Sequence, residues 1–147
     1  MSSGASSRPR EAEQAVAIDR VCIVGAGVIG SLCAVHMAQI CDVSVLVRRR
    51  EHAAALNEHG LEVSGKSNFA TKVFAATDPA DLPDFDLGIV ATKATQMERA
   101  VAPLEGRFPD AAFMTIQNGL GAEEMMAPLR ALAVAVFGDV HERDPPR

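Results

Sequence analysis

Three glycines near the start of the sequence have the spacing of a phosphate-binding turn. Gly25, Gly27 and Gly30 form a GxGxxG motif within the string VCIVGAGVIG, residues 21–30. The motif follows an apolar run and precedes a segment with helical spacing, which is the context that a dinucleotide-binding turn requires. The first N–H groups of such a helix, together with its dipole, favour an anion. The motif therefore predicts a pyrophosphate site, and a turn whose glycines serve packing alone is the alternative.

Three consecutive arginines follow the second predicted strand. Arg48, Arg49 and Arg50 come directly after the apolar run Val43–Val47. Folds that prefer NAD carry Asp or Glu at this strand tip, about 20 residues beyond the glycines, where it bonds the ribose 2′-hydroxyl. Arginine instead matches a 2′-phosphate in charge and in forked geometry. The sequence therefore predicts NADP(H), with Arg48 as the main candidate contact; a solvated basic run before a helix is the alternative.

Two further polar residues follow predicted strands. Lys93 comes after the strand predicted at Leu87–Ala91, and Asn118 follows the strand predicted at Ala112–Gln117. Ligands of open α/β sheets bind beyond the carboxyl ends of the strands, so both side chains are candidate ligand contacts. The charge of Lys93 suits a carboxylate or a carbonyl, and the amide of Asn118 both donates and accepts hydrogen bonds. The alternative for Lys93 is a surface lysine that begins a helix.

Short apolar segments alternate with helical segments along most of the chain. Strands or apolar runs are predicted at Arg20–Val24, Val43–Val47, Leu61–Ser64, Thr71–Ala75, Leu87–Ala91, Ala112–Gln117 and Ala133–Phe137. Helices are predicted at Val28–Ile40, Glu51–His59, Thr95–Leu104 and Ala122–Leu132. Strands that alternate with helices build a parallel sheet covered on both faces. The predicted fold class is therefore α/β, a doubly wound, mainly parallel sheet of the Rossmann type.

The first predicted helix carries an apolar face and a face of small residues. The apolar face, which contains one histidine, consists of Ile29, Leu32, Cys33, His36 and Ile40. The small face consists of Gly30, Ala34 and Ala38, at steps of four residues. We expect the small face to lie close on the sheet and His36 to be buried or half-buried. The four histidines of the chain show no catalytic or metal-site spacing.

Composition excludes several classes of protein. Apolar residues make up 48% and charged residues 22% of the chain, as in globular proteins. The longest apolar runs are far shorter than the roughly 18 residues of a membrane helix, and a net charge of −5 disfavours nucleic-acid binding. Three cysteines without metal-ligand spacing, Cys22, Cys33 and Cys41, predict buried reduced thiols and a cytoplasmic location.

The 147 residues are enough for one domain of ordinary size. Residues 1–19 are polar and carry no apolar run, so we expect a disordered leader rather than a targeting signal. We expect an NADP-binding Rossmann domain at 20–138, which contains all the motifs described above. The remaining residues, 139–147, are expected to form a polar tail.

Taken in order, the motifs resemble those of ketopantoate reductases (2-dehydropantoate 2-reductases). The matching strings are VCIVGAGVIGSL, LVRR, REHAAALNEHGLEV, TDPADL followed by DLGIVATKATQ, and TIQNGLGAEE. They extend from about Arg20 to Leu132. Each string is common in dinucleotide-binding folds, whereas LGIVATKATQ followed by QNGLG is more specific to this family.

The resemblance implies NADPH-dependent reduction of 2-dehydropantoate to pantoate, a step toward pantothenate and coenzyme A. It implies that Arg48 binds the 2′-phosphate and that Lys93 and Asn118 are catalytic residues at the nicotinamide end. Asn118 would also touch the substrate, and Gln96 would add a contact to the cofactor. The pyrophosphate would be bound by the six residues of the glycine corner, Gly25, Ala26, Gly27, Val28, Ile29 and Gly30.

The resemblance also implies a part that this sequence does not carry. Ketopantoate reductases continue into a helical second domain, which supplies a lysine as the main general acid and a glutamate that holds the ligands. The end of this sequence, from Gly138, departs from the family and is typical of a truncated or frame-shifted reading or of a short tail. Because reduction of a keto acid forms an alkoxide that needs a proton donor, we expect NADPH binding with slow or no turnover.

Two other functions stay open at this point. One is a non-catalytic NADP(H)-binding module, and the other is a reductase of a different 2-keto acid. The expected partners are a small-molecule 2-keto acid substrate and either a second copy of the chain or a separate helical domain. No nucleic acid, membrane or metal is expected.

Overall fold

The computed structural model describes residues 17–65, 68–116 and 133–134. Its helices are α1 (Val28–Met37), α2 (Arg50–His59) and α3 (Ala94–Val101). Its strands are β1 (Arg20–Val24), β2 (Asp42–Leu46), β3 (Leu61–Val63), β4 (Phe69–Thr71), β5 (Phe74–Ala76), β6 (Leu87–Val90), β7 (Ala112–Thr115) and β8 (Ala133–Val134). Short 3₁₀ helices occupy Pro79–Asp81 and Ala102–Leu104. Most of the predicted leader, the helix predicted at Ala122–Leu132 and the tail predicted at 139–147 lie outside the described residues.

Six parallel strands form the main sheet in the order β5-β2-β1-β6-β7-β8. The strand order reverses between β1 and β6, and a crevice at such a switch point is where open α/β sheets bind ligands. The prediction of a doubly wound, mainly parallel sheet is therefore confirmed. Within the described part of the chain, no helix has the length and hydropathy needed to cross a bilayer.

Each face of the sheet has its own hydrophobic core. Val21 and Ile23 of β1 pack in the cluster that includes α1 and α2, whereas Cys22 and Val24 pack in the cluster that includes α3. None of these four side chains is more than 1% exposed. Full burial of one such side chain contributes about 1.5–3 kcal/mol. Continuous apolar strands are thus explained by helices on both sides of the sheet.

Along the chain, a small antiparallel hairpin of β3 and β4 follows α2 and precedes β5. Leu61 of β3 is opposite Thr71 of β4, whereas β5 pairs with β2 in the main sheet. The continuous strand predicted at Thr71–Ala75 is therefore wrong, because Thr71 and Ala75 belong to different sheets. The residues between them are apolar or long and give no local sign of the break. The position of the break depends on the non-local pairing of β5 with β2.

Helix α1 contacts the sheet through its small face. Gly30, Ala34 and Val35 are the buried residues of the helix. Small side chains let a helix approach a sheet closely, so the expectation that Gly30 and Ala34 face the sheet is confirmed. The helix ends at Met37, three residues earlier than predicted.

The apolar face of α1 is largely exposed. Its residues with the greatest exposure are Ile29 at 54%, Leu32 at 37% and, beyond the helix end, Ile40 at 78%. His36 is exposed, with its ring centroid 5.1 Å from that of Phe69 in β4, so its predicted burial is wrong. His36 is exposed because α1 packs on the sheet through its small face and not through its apolar face.

The three cysteines are free thiols with different exposure. Cys22 is buried, and desolvation raises its pKa to about 12, while Cys33 and Cys41 are half-buried. Burial also raises the pKa of the Cys33 thiol. The prediction of reduced thiols agrees with the described side chains, but burial of all three was wrong because α1 leaves Cys33 at the side of the contact.

The side chain of Asn57 in α2 covers the outer edge of β5. Its Nδ2 donates to the carbonyl oxygen of Ala75, and its Oδ1 accepts a hydrogen bond from the Ala75 N–H, both at 2.8 Å. β5 is the terminal strand on its side of the main sheet. The amide therefore fixes α2 to β5 and positions the turn that follows at Thr77.

An ion pair joins the start of β1 to the residue before β6. The Arg20 guanidinium donates to Oδ1 of Asp86 at 3.0 Å, and the N–H groups of Asp19 and Arg20 donate to Oδ2 at 3.0 Å. The hydrogen bonds from the Arg20 side chain and the Asp19 backbone lower the pKa of Asp86 below its ordinary value of 3.8. The same pair raises the pKa of Arg20.

We expect the Asp86 carboxylate to stabilise the fold at neutral pH and to lose this effect in acid. Because the pKa is lower in the folded state, the stabilisation is fully present above pH 3.8 and is lost as pH falls through the folded-state value. Thermal unfolding should show a lower Tm for Asp86→Asn than for wild type at pH 7, with a difference that shrinks below pH 3.8. The exposed Asp110, replaced by Asn, is the control. A Tm difference that does not vary with pH would contradict the assignment.

Candidate nucleotide-binding site

The carboxyl ends of β1, β2, β5 and β6 meet at one edge of the sheet. Three backbone hydrogen bonds, each 2.9 Å long, continue the parallel register past the strand ends, from Gly25 to Leu46, from Val47 to Ala76 and from Ala91 to Val24. The loops that follow these strands therefore start from fixed positions. This rigidity places the sequence-predicted residues of three different loops along one edge.

One cavity of about 450 Å³ lies along this edge. Its walls come from the glycine corner, the tip of β2, the turn after β5, the loop after β6 and one face of α3. The predicted contacts that line it are Gly25, Ala26, Gly27, Arg48, Lys93 and Gln96. Val28, Ile29 and Gly30 lie in α1 beside it without lining it. Asn118 lies outside the described residues.

The three motif glycines differ in what surrounds them. Gly25 has a φ of +100°, and a Cβ there would lie 2.8 Å from Cγ2 of Thr92. A Cβ on Gly30 would overlap the carbonyl oxygen of Gly25. A Cβ on Gly27 would meet no atom within 4 Å. Gly25 and Gly30 thus have a structural reason to be glycine, whereas the space beside Gly27 is open on the cavity side.

The N-terminus of α1 opens at the same corner. Gly27 is the N-cap and makes no side-chain capping hydrogen bond, and its carbonyl oxygen accepts from the Ser31 N–H at 2.8 Å. First-turn N–H groups have no acceptor within their own helix. The side chains of Val28 and Ile29 are 80% and 54% exposed, so these two residues can serve the cavity only through their backbone. An uncapped helix start beside open space suits a phosphate group.

The cavity collects positive charge on a chain whose net charge is −5. Its basic lining residues are Arg48, Arg49, His52, Lys93 and Arg99, and no Asp or Glu is among the described residues that line it. The two ion pairs between described residues involve none of these five. The four of these that are arginine or lysine repel one another unless an anion lies between them, since no described carboxylate lines the cavity. The site therefore suits a ligand with several negative charges.

Helix α3 supplies one wall because its two faces differ. Met97, Val101 and Leu104, at most 1% exposed, anchor it and the 3₁₀ turn after it on the sheet. The cavity side carries Gln96 and Arg99, one turn apart. Lys93 is the N-cap of the helix, with an exposed side chain and no side-chain capping bond.

Sequence reasoning missed four polar lining residues and included one arginine that does not line the cavity. His52, Thr77, Thr92 and Arg99 line the cavity without having been predicted. The spacing of Lys93, Gln96 and Arg99 is the signal that could have indicated Arg99. Arg50 is the exposed first residue of α2 and lies outside the lining. Among the described residues, no group of three or more His, Cys, Asp or Glu is arranged to hold a metal ion.

Comparison with models of protein families matches residues 21–141 to the family described as "Ketopantoate reductase PanE/ApbA". The chain belongs to this family. The match spans both the glycine corner and the segment after β6, so the resemblance drawn from the ordered motifs is confirmed.

Relatives in the family are about twice as long as this chain, because the 103 aligned residues make up only 34% of one of them. The 2-dehydropantoate 2-reductase of Bacillus subtilis (strain 168) is 33% identical over 103 residues, which is 69% of this chain and 34% of that protein. The crystal structure of the probable 2-dehydropantoate 2-reductase panE from Bacillus subtilis matches with a TM-score of 0.65 and 32% identity, over 74% of this chain and 36% of that one. The chain therefore spans about a third of these relatives.

A related dehydrogenase has the same fold over this region. The ternary structure of D-mandelate dehydrogenase with NADH and anilino(oxo)acetate matches with a TM-score of 0.67 and 25% identity. The match covers 74% of this chain and 36% of that protein. Both comparisons with structures thus show that this chain has the fold of the corresponding part of these two proteins.

Proposed function

We propose that this chain binds NADP(H) in the cavity at the strand tips and is the nucleotide-binding part of a ketopantoate reductase. The observation that carries the proposal is the shared lining of one cavity by an open glycine corner at Gly27 and by Arg48 and Arg49. The proposed reaction is the NADPH-dependent reduction of 2-dehydropantoate to pantoate, a step toward pantothenate.

The described residues fit two charged groups of NADP(H), the pyrophosphate and the 2′-phosphate that NAD(H) lacks. The pyrophosphate fits the space beside Gly27, where a Cβ would meet no atom within 4 Å and where the first N–H groups of α1 are available. The 2′-phosphate fits the tip of β2, where exposed Arg48 and Arg49 line the same cavity. An acidic residue at this tip, as expected for a ribose 2′-hydroxyl, is absent from the described lining.

The chemistry of the proposed reaction requires a positive or protonated group near the reacting carbonyl. When bound, the reduced dinucleotide supplies a hydride to the keto carbon of the substrate. Lys93, at the tip of β6, would hold positive charge toward the substrate, and Asn118 would hold the nicotinamide ribose or the keto acid. Lys93 is exposed to water, which weakens its electrostatic effect on the alkoxide that forms. The described residues therefore support binding more strongly than turnover.

We expect the purified chain to bind NADPH saturably and at least tenfold more tightly than NADH, a difference of about 1.4 kcal/mol. The sequence contains no Trp and no Tyr, so the emission of NADPH can be titrated without interference from the protein. NADH is titrated in parallel as the matched ligand without the 2′-phosphate. Absence of saturable binding by both nucleotides would overturn the proposal, and equal affinities would overturn its NADP(H) part.

Turnover by the chain alone is expected to be slow. Oxidation of NADPH with 2-dehydropantoate should proceed far below the roughly 10 per second that is typical of enzymes, because water weakens the electrostatic effect of the exposed Lys93 on the alkoxide. A reaction without keto acid measures the background. A rate near the typical value would show that this chain carries a complete catalytic site and would contradict this part of the proposal.

Reduction of a different 2-keto acid is the second candidate. It is favoured by the match to D-mandelate dehydrogenase, whose name identifies a 2-hydroxy acid as its substrate. Turnover with benzoylformate but not with 2-dehydropantoate would select it, and NADPH binding without turnover of either would select a binding module.

We also propose a cytoplasmic location, since the three cysteines are free thiols.

A further inference from the structure

Arg99 lines the same cavity as the tip of β2 but comes from a different element. It lies on α3, whereas Arg48 and Arg49 come from the loop between β2 and α2. The turn after β5, with Thr77 and Pro79, also lines the cavity. A bound anion would therefore share this cavity with guanidinium groups from two different elements.

The side chain of Arg99 has no evident structural task. It is exposed, and the buried stripe of α3 consists of other residues, including Met97 and Val101. Neither ion pair between described residues includes it. Its position on the cavity side, one turn beyond Gln96, thus points to a ligand rather than to the packing of the helix.

Charge matching indicates which ligand group Arg99 would meet. A phosphate monoester carries about −1.5 to −2 charges at pH 7, which one guanidinium cannot balance. The pyrophosphate fits the glycine corner, where helix N–H groups are available. The remaining phosphate of NADP(H) is on the 2′-oxygen of the adenosine ribose, and it fits the arginine side of the cavity.

We propose that Arg99 binds the 2′-phosphate from the α3 wall and is a specificity-determining residue for NADP(H) over NAD(H). This inference rests on the proposed function, because it assigns one group of the proposed ligand to one further side chain. Arg48 and Arg99 would then contact the phosphate from two different elements, which would fix its position as well as balance its charge.

The test is the effect of Arg99→Gln on binding of NADPH, NADH and 2′,5′-ADP. We expect the Kd for NADPH and for 2′,5′-ADP to rise about tenfold, as for loss of a hydrogen-bonded charge, and the Kd for NADH to change less than about twofold. Arg99→Lys should recover part of the affinity, since it restores charge without the fork. Arg107→Gln removes an equally exposed arginine outside the cavity and should leave all three constants unchanged.

Each other result of these titrations would overturn either the role of Arg99 or the proposed function. Equal losses for NADPH and NADH would place Arg99 against the adenine or another shared group and overturn the inference. Unchanged binding by Arg99→Gln would overturn it as well, provided that wild type binds NADPH. Failure of wild type to bind NADPH would overturn the proposed function itself, so the two failures are distinguishable. The Tm of each variant confirms that the loss comes from binding and not from unfolding.

Discussion

Gly30→Ala should lower the Tm on the order of 10 °C. The added Cβ would overlap the carbonyl oxygen of Gly25 and lie 3.4 Å from the Cβ of Ala91. Overpacking of a fitted site costs about 1–3 kcal/mol, and more when the obstacle is backbone that cannot rotate away. Alanine recovers at most about 1 kcal/mol of helix propensity. Each kcal/mol lost corresponds to about 2–4 °C in a chain of 147 residues, and thermal unfolding followed by circular dichroism measures the shift.

Two glycines with open surroundings are the controls for this result. A Cβ on Gly27 or on Gly65 would meet nothing within 4 Å, so both alanine variants should keep the wild-type Tm. Gly27→Ala should weaken NADPH binding, because its methyl group projects where the pyrophosphate is proposed, whereas Gly65→Ala should bind normally. A Tm for Gly30→Ala within about 2 °C of wild type would contradict the close contact between α1 and the glycine corner.

Arg48→Glu should reverse the preference between the two nucleotides. A carboxylate at the tip of β2 repels the 2′-phosphate and can accept a hydrogen bond from the ribose 2′-hydroxyl of NADH. We expect the Kd for NADPH to rise about 100-fold, or about 2.7 kcal/mol, while the Kd for NADH changes less than about threefold. Titration of both nucleotides at one fixed salt concentration measures the ratio, since screening weakens exposed charges.

Arg107→Glu is the matched variant for the reversal at Arg48. It makes the same change in net charge at an exposed position outside the cavity. Its effect on NADPH should be small, because 0.1 M salt screens the charge of an exposed side chain that does not line the cavity. A similar loss in both variants would mean that overall charge, and not the tip of β2, governs the affinity for NADPH.

The sequence predicted the architecture well because its strongest signals are local. The glycine corner, the apolar strands and the amphipathic segments each specify an element, and alternation of elements specifies a parallel sheet. Thr71–Ala75 was misassigned because a pairing with β2, remote in sequence, decides where one strand ends and the next begins. His36 was misplaced because the period of α1 fits two faces, and only packing decides that the face with Ala34 meets the sheet.

The candidate site was predictable where residues directly follow strands. The positions of Gly25, Arg48 and Lys93 follow from the rule that parallel strands end at one edge, and all three line one cavity. His52 and Arg99 were missed because they lie within helices, where lining the cavity depends on how each helix crosses the strand tips. For Arg99 the spacing of three residues from Gln96 was a usable signal, whereas no such spacing pointed to His52.

The amide of Asn57 has a consequence for how separate molecules meet. An exposed edge strand offers unpaired N–H and C=O groups that can recruit another chain into a growing sheet. At Ala75 the outward N–H and C=O groups are already hydrogen-bonded to the Asn57 amide, which takes the place of one residue of a neighbouring strand. The Asn57 side chain thus blocks a second molecule from adding a strand beside Ala75, although β5 itself is only three residues long.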